Sequence, residues 1–146
     1  MSEFQESLDG IRQTAVSSGH FSVRPSDSLS AVISAAAVPA CAGVYVISAA
    51  TPTPRVIYIG KSGTVHQDGS LGEQRMNQRL RRKQSGLPRE QFFREYMRGH
   101  SVPELHIEWF ETYRENVGDP PFLVEARLLA AYLADHGALP ELNRSA

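Results

Sequence analysis

The 146-residue sequence has a single cysteine and almost no net charge. One cysteine excludes an internal disulfide and a cluster of thiolate metal ligands, and we expect Cys41 to be a small buried side chain beside the strand that begins at Gly43. The formal net charge is −1. The overall composition therefore does not by itself indicate a nucleic-acid partner or an acidic one.

The sequence also lacks the features of a membrane or secreted protein. No charged residue lies between Asp27 and Arg55, but Pro39, several serines and a strand-like Val-Tyr-Val-Ile segment interrupt this run, so we do not expect a transmembrane helix. The amino terminus has acidic residues where a secretory signal has basic ones. We therefore expect a cytoplasmic protein with no membrane partner.

Basic residues are concentrated in one segment. Eight of the 15 lysines and arginines lie between residues 73 and 98, together with three acidic residues, which gives the segment a local formal charge of +5. Such a run is either a solvated helix face or a surface that binds phosphate groups. Charge alone does not separate these two interpretations.

The first part of the chain, residues 1–42, is predicted to be an N-terminal helical extension. The pattern indicates a weak helix over residues 4–16 and then a loop rich in Gly and Ser. An Ala-rich helix follows, with Ser26 or Asp27 as its N-cap and Pro39 at its end.

Residues 43–146 are predicted to form a separate α/β (α+β) domain with the element order ββααβα. Runs of β-branched and aromatic residues indicate strands, and apolar residues at helical spacing indicate helices. The predicted elements are strands over 43–49 and 55–61 joined as an antiparallel hairpin, a Gly-rich loop over 62–72, helices over 73–84 and 89–99, a strand over 104–113 and a helix over 120–137.

The apolar stripe of the last predicted helix contains an acid. At about 100° per residue, Phe122, Leu128 and Tyr132 all project within about 60° of Glu125. An ionised carboxylate removed from water costs several kcal/mol unless it is paired, hydrogen-bonded or bound to a metal. Glu125 is therefore expected either to have a compensating partner or to lie at the rim of the core.

The basic helix predicted over residues 73–84 supplies candidate partners for this acid. If Met76 and Leu80 form its buried stripe, Arg79 and Lys83 face inward, whereas Arg81 points away. One inward-facing long cation is commonly a snorkelling side chain. Two of them, four residues apart, favour a polar cluster with Glu125.

Several short motifs in this order resemble the GIY-YIG nuclease superfamily. They are Gly-Val-Tyr at 43–45, Tyr-Ile-Gly at 58–60, an inward arginine on the next helix, a glutamate on a later helix and Pro-Glu-Leu-Asn at 140–143. The resemblance covers about residues 43 to 143. It implies a small α/β domain with a three-stranded antiparallel sheet that hydrolyses phosphodiester bonds in nucleic acid with one divalent metal ion. The motif residues are then Tyr45, Tyr58, Arg79, Glu125 and Asn143.

The resemblance implies a role for each of these side chains. Glu125 is expected to hold one Mg²⁺ or Mn²⁺ ion as its protein ligand, with water and a phosphate oxygen completing the shell. Arg79 is expected to clamp the scissile phosphate. Tyr45 is the candidate general base, and because a phenol titrates near 10, Lys61 or, by preference, Lys83 would have to favour its phenolate.

The remaining candidates are residues expected to contact or support the substrate. Tyr58 would position water or phosphate through its hydroxyl. Arg75 and Arg82 would contact the flanking nucleic-acid backbone, and Gly60 would let that backbone approach closely, although it could also simply relieve a tight strand. Asn143 would support the site, or only tether the terminus.

The sequence therefore predicts a metal-dependent endonuclease that acts on DNA. The alternatives are a module that binds nucleic acid without cutting it, and a repair or RNA-directed nuclease. Restriction, repair and mobile-element roles all stay open. A restriction-type enzyme that cuts both strands would favour a homodimer by symmetry.

Overall fold

The computed structural model describes residues 2–72 and 75–145. Along the chain, successive helices are separated by one or two strands. The helices are α1 (Glu3–Thr14), α2 (Leu29–Ala35), α3 (Met76–Arg79), α4 (Arg89–Gly99) and α5 (Pro121–His136). The strands are β1 (Ser17–Val23), β2 (Ala42–Ala49), β3 (Arg55–Ser62), β4 (Lys83–Gln84), β5 (Leu87–Pro88), β6 (Leu105–Arg114) and β7 (Val117–Gly118).

The main sheet is antiparallel and has the strand order β1-β6-β2-β3, with β7 folded back onto β6. The α/β class and the predicted β2–β3 hairpin are confirmed. The prediction of three strands is wrong, because residues 17–23 form a strand rather than a Gly and Ser loop. Only Phe21 and Val23 of this strand are buried, and pairing with the long β6 holds the rest in place.

Residues 2–42 are part of the same packed structure as the rest of the described chain. Helix α1 packs against α5, and β1 lies in the sheet. Helix α2 is present, but it ends at Ala35 rather than at Pro39, and its N-cap is Ser28, whose hydroxyl accepts a hydrogen bond from the Ala31 amide at 3.3 Å. Neither expected cap, Ser26 or Asp27, has this role, and Asp27 instead accepts a hydrogen bond from the Arg24 amide at 2.8 Å. The division of the chain at residue 42 stays a prediction.

The helix predicted over residues 73–84 is wrong in its extent. Residues 73 and 74 lie outside the described residues, and the helix that follows them ends at Arg79. The chain then forms a small hairpin in which Gln84 pairs with Leu87. The two residues between them, Ser85 and Gly86, have φ values of 51° and 83°, as a tight two-residue hairpin turn requires. Because residues 83–88 form this hairpin, the helix does not continue to residue 84.

Two apolar cores lie on opposite faces of the sheet. One is formed with α2, α3 and α4 and includes Tyr45 and Phe93. The other is formed with α1 and α5 and includes Phe110 and Leu128. Within the described part of the chain, none of the helices has both the length and the apolar character needed to cross a bilayer.

Candidate active site

The two motif tyrosines lie on neighbouring strands, with ring centroids 6.0 Å apart. Tyr45 is on β2 and is directly opposite Gly60 of β3. A Cβ on Gly60 would lie 2.5 Å from the Tyr45 hydroxyl oxygen and 2.8 Å from Cε2 of Tyr58. Gly60 therefore makes room for the Tyr45 phenol, and the space above it is filled by that ring rather than open to a substrate.

The glycine that begins the first motif also has a structural cause. Gly43 lies at a register shift between β2 and β6, and a Cβ there would collide with the backbone carbonyl of Phe110. A side chain at this position would therefore push the two central strands apart. Both motif glycines are thus required by the packing of the sheet.

The hydroxyl of Tyr45 is held by an arginine that the sequence did not indicate as a site residue. Tyr45 is 0 % exposed, and its hydroxyl oxygen accepts a hydrogen bond from Nη1 of Arg89 at 3.0 Å. The same nitrogen donates to the backbone carbonyl of Arg79 at 3.1 Å. The Arg89 guanidinium carbon lies 5.4, 5.6 and 5.7 Å from the ring centroids of Tyr45, Tyr58 and Phe93.

One sequence signal could have pointed to Arg89. It is the first residue of α4, where the positive end of the helix dipole disfavours a cation. A basic residue at such a position, directly after Pro88, has to be stabilised by something other than its own helix. Its partner Tyr45 is 44 residues away in the sequence, so the contact itself could not be read from local patterns.

Tyr58 lies at the wall of a cleft of about 360 Å³. Burial raises the pKa of Tyr58, and the neighbouring Tyr45 raises it further, while Arg89 and Arg79 act in the opposite direction. In the absence of a bound ligand the Tyr58 hydroxyl is therefore protonated at neutral pH and able to donate a hydrogen bond. The cleft is lined by Tyr58, Arg79, Lys83, Gln84, Ser85, Arg89 and the carboxyl-terminal segment 142–145.

The acid in the stripe of α5 is half-buried and close to two cations. Burial raises the pKa of Glu125, and the charges of Lys61 and Arg79 partly oppose that shift. Within residues 2–72 and 75–145, the Glu125 carboxylate makes no hydrogen bond or ion pair. The polar environment predicted for Glu125 is present, but a direct ion pair is absent from this part of the chain.

Lys83 does not have the position predicted for it. The inward orientation assumed a continuous helix, but the helix ends at Arg79 and Lys83 begins β4 as an exposed residue. It still lines the cleft that contains Tyr58. Of the two candidate lysines, Lys61 is the one whose charge acts on Glu125.

The other candidates lie around the same cleft or on the nearby surface. Arg75 is half-buried at the start of α3, and Arg82 is exposed. The side-chain amide of Asn143 makes two hydrogen bonds to Ile59 of β3. Its Oδ1 accepts from the Ile59 amide and its Nδ2 donates to the Ile59 carbonyl, each at 2.9 Å. Asn143 therefore tethers the carboxyl terminus to the sheet edge and places Arg144 beside the cleft.

The surroundings of Glu125 fit a divalent cation. A half-buried carboxylate that has no hydrogen-bonding partner among the described residues, and whose charge acts on Tyr58 of the cleft, is a suitable single anionic ligand when water and a phosphate complete the shell. The described residues contain no group of three or more His, Cys, Asp or Glu side chains that could form a metal site from protein ligands alone. The assignment of Mg²⁺ or Mn²⁺ to Glu125, with water and phosphate as the other ligands, therefore stays a prediction.

The chain was compared with protein-family models, curated proteins and solved structures, and none of them matches it.

Proposed function

We propose that this protein is a metal-dependent nuclease that hydrolyses phosphodiester bonds in DNA. The observation that carries the proposal is the position of Tyr58. Tyr58 lines a cleft whose charged lining residues in the described part of the chain are cations, and the charges of Arg89, Arg79 and the half-buried Glu125 all act on it. The order of the motifs along the sequence gives independent support. RNA, which has the same phosphodiester linkage, stays the alternative substrate.

Phosphodiester hydrolysis needs an attacking water, a counter-charge for the phosphorane and help for the leaving oxygen. Glu125 would hold the divalent ion, which when bound polarises a phosphate oxygen and lowers the pKa of a coordinated water. Arg79 would bind the equatorial phosphate oxygens through its planar guanidinium. Tyr58 would donate a hydrogen bond to the phosphate, in keeping with its raised pKa.

The proposal treats the two tyrosines differently from the sequence prediction. A general base has to reach the proton that it removes, within hydrogen-bonding distance or through one water. The Tyr45 hydroxyl is buried against Arg89, which speaks against a direct role in proton abstraction. The base role of Tyr45 stays a prediction, and Tyr58 is the phenol that a bound phosphate would meet first.

The test is cleavage of supercoiled plasmid DNA by the full chain with Mg²⁺ or Mn²⁺, with EDTA as the metal-free control. We expect EDTA-sensitive conversion to nicked and linear forms. Glu125→Gln should abolish cleavage, while Glu95→Gln, a matched change at an exposed site on α4, should leave it unchanged. Full cleavage by the Glu125 variant would refute the metal assignment.

A second function, binding of nucleic acid without hydrolysis, is favoured by one observation. The cleft contains Arg79, Lys83, Arg89 and Arg144, which could bind phosphate groups without any metal. Saturable DNA binding together with no cleavage in Mg²⁺, Mn²⁺, Co²⁺ or Ni²⁺ would favour this binding module over the nuclease.

A further inference from the structure

Arg89 is a buried cation that has no counter-ion among the described residues. Its side chain is almost fully enclosed, with 2 % of the residue exposed. Its two hydrogen bonds go to neutral acceptors, the Tyr45 hydroxyl and the Arg79 carbonyl. Its Nε is buried with no hydrogen-bond partner, and no acidic residue in the described part of the chain forms an ion pair with it.

Such an arrangement is unfavourable for the isolated protein. Buried charges are normally paired, because the loss of hydration is otherwise uncompensated. The faces of Tyr45, Tyr58 and Phe93 offset part of this cost through cation–π contacts. Aromatic faces do not, however, supply the oxygen acceptors that a guanidinium requires.

The cleft beside Arg89 is suited to supply those acceptors. Arg89 is one of its lining residues, and its other charged lining residues within the described part of the chain are also cations. At the same cleft, the amide oxygen of Gln84 is also buried and has no hydrogen-bond partner within the described part of the chain. The cleft thus leaves both donor and acceptor atoms unsatisfied, and a ligand that carries anionic oxygens together with a hydroxyl or amino group would complement both.

We infer that Arg89 is a second anion-binding group of this cleft, beside Arg79, and that Tyr45 is the positioning residue that orients its guanidinium. The buried phenol oxygen fixes one nitrogen of the guanidinium, and the three rings fix its plane. A phosphate oxygen that enters the cleft then completes the hydrogen bonding of Arg89. That the anion is a nucleic-acid phosphate rests on the proposed function, whereas the anion site itself does not.

The inference is tested by phosphate binding to the full chain in EDTA, where no cleavage occurs. Inorganic phosphate is titrated at constant ionic strength, and its dissociation constant is measured by calorimetry well below the melting temperature. Arg89→Met should weaken binding by about tenfold or more, as expected for the loss of charge-assisted hydrogen bonds. Arg98→Met, at an exposed site in the last turn of the same helix, should bind as the wild type does.

Two further variants separate positioning from folding. Tyr45→Phe keeps the ring and removes the oxygen that orients Arg89, so phosphate binding should weaken without metal or DNA present; a residue that served only as a base would leave it unchanged. Arg89→Lys keeps the charge but lacks the planar fork, so it should also bind phosphate more weakly. This second variant decides the matter if Arg89→Met does not fold.

The outcomes distinguish this inference from the proposed function. Wild-type affinity in Arg89→Met or Arg89→Lys, or no saturable phosphate binding by the wild type, would overturn it. Unchanged affinity in Tyr45→Phe would overturn the positioning role. If the wild type binds phosphate through Arg89 but cuts no DNA, the nuclease proposal fails and the anion site stands. If it cuts DNA and Arg89→Met does so with unchanged kcat and KM, the nuclease proposal stands, and the claim that Arg89 binds the nucleic-acid phosphate is overturned.

Discussion

Replacing Gly60 with alanine should disturb both site tyrosines at once. The added Cβ would lie 2.5 Å from the Tyr45 hydroxyl oxygen and 2.8 Å from Cε2 of Tyr58, and it would be closer still to Cζ of Tyr45. These are separations at which something has to shift. Gly60 is not among the glycines with positive φ, so the cost is one of space rather than of backbone conformation.

The neighbouring groups leave little room for adjustment. Tyr45 is fully buried, and its hydroxyl is bonded to Arg89, which is itself enclosed. Overpacking of such a site costs about 1–3 kcal/mol in the free energy of unfolding. In a domain of this size that corresponds to a fall in Tm of roughly 3–10 °C. Thermal unfolding followed by circular dichroism measures this change directly.

Gly10→Ala is the matched control. Gly10 lies inside helix α1, and a Cβ there would meet nothing within 4 Å, so alanine should raise stability by about 0.5–1 kcal/mol. In a double-mutant cycle, Tyr45→Leu shortens the opposing side chain and should reduce the penalty of Gly60→Ala. A Gly60→Ala protein as stable as the wild type would refute the argument that this glycine is required by the Tyr45 ring.

Two more predictions concern other parts of the molecule. Burial raises the pKa of Glu125, so in the metal-free protein the ionised form of Glu125 destabilises the fold. The free energy of unfolding of the wild type should therefore fall as the pH rises from the ordinary carboxyl range through the raised pKa. Glu125→Gln should therefore have a higher Tm than the wild type at neutral pH in EDTA, with the difference shrinking at acidic pH; a lower Tm would contradict this. Gly19 packs opposite Trp109, the chain's one tryptophan, so Gly19→Ala should destabilise the fold and shift the fluorescence emission, and unchanged emission would argue against the β1–β6 pairing.

Elements with strong local patterns could be predicted from the sequence. Strands β2, β3 and β6 have dense β-branched and aromatic runs, and α5 has an apolar stripe between two prolines and Gly137, which ends the helix with a φ of 70°. Strand β1 could not be predicted in the same way, because five of its seven residues are not buried. Its conformation depends on pairing with β6, which lies more than 80 residues away in the sequence.

The error in the basic segment shows how one turn changes a predicted site. Met76 and Leu80 are both buried, as their helical spacing predicted. The orientation of Lys83 depended on the helix continuing for one more turn, and the Ser85–Gly86 turn prevents this because it commits Lys83 and Gln84 to a hairpin. The same hairpin brings Arg89 to the position where it meets Tyr45.

On the proposed function, the charges around Tyr58 give a physical reason for a metal ion and a phosphate to bind together. Glu125 and Arg89 both act on Tyr58, yet neither forms an ion pair within the described residues. A cation alone would compensate Glu125 and leave Arg89 uncompensated, and an anion alone would do the opposite. A divalent ion bound to Glu125 and a phosphate bound to Arg89 satisfy both charges and also attract each other, so on the proposed function each should strengthen binding of the other.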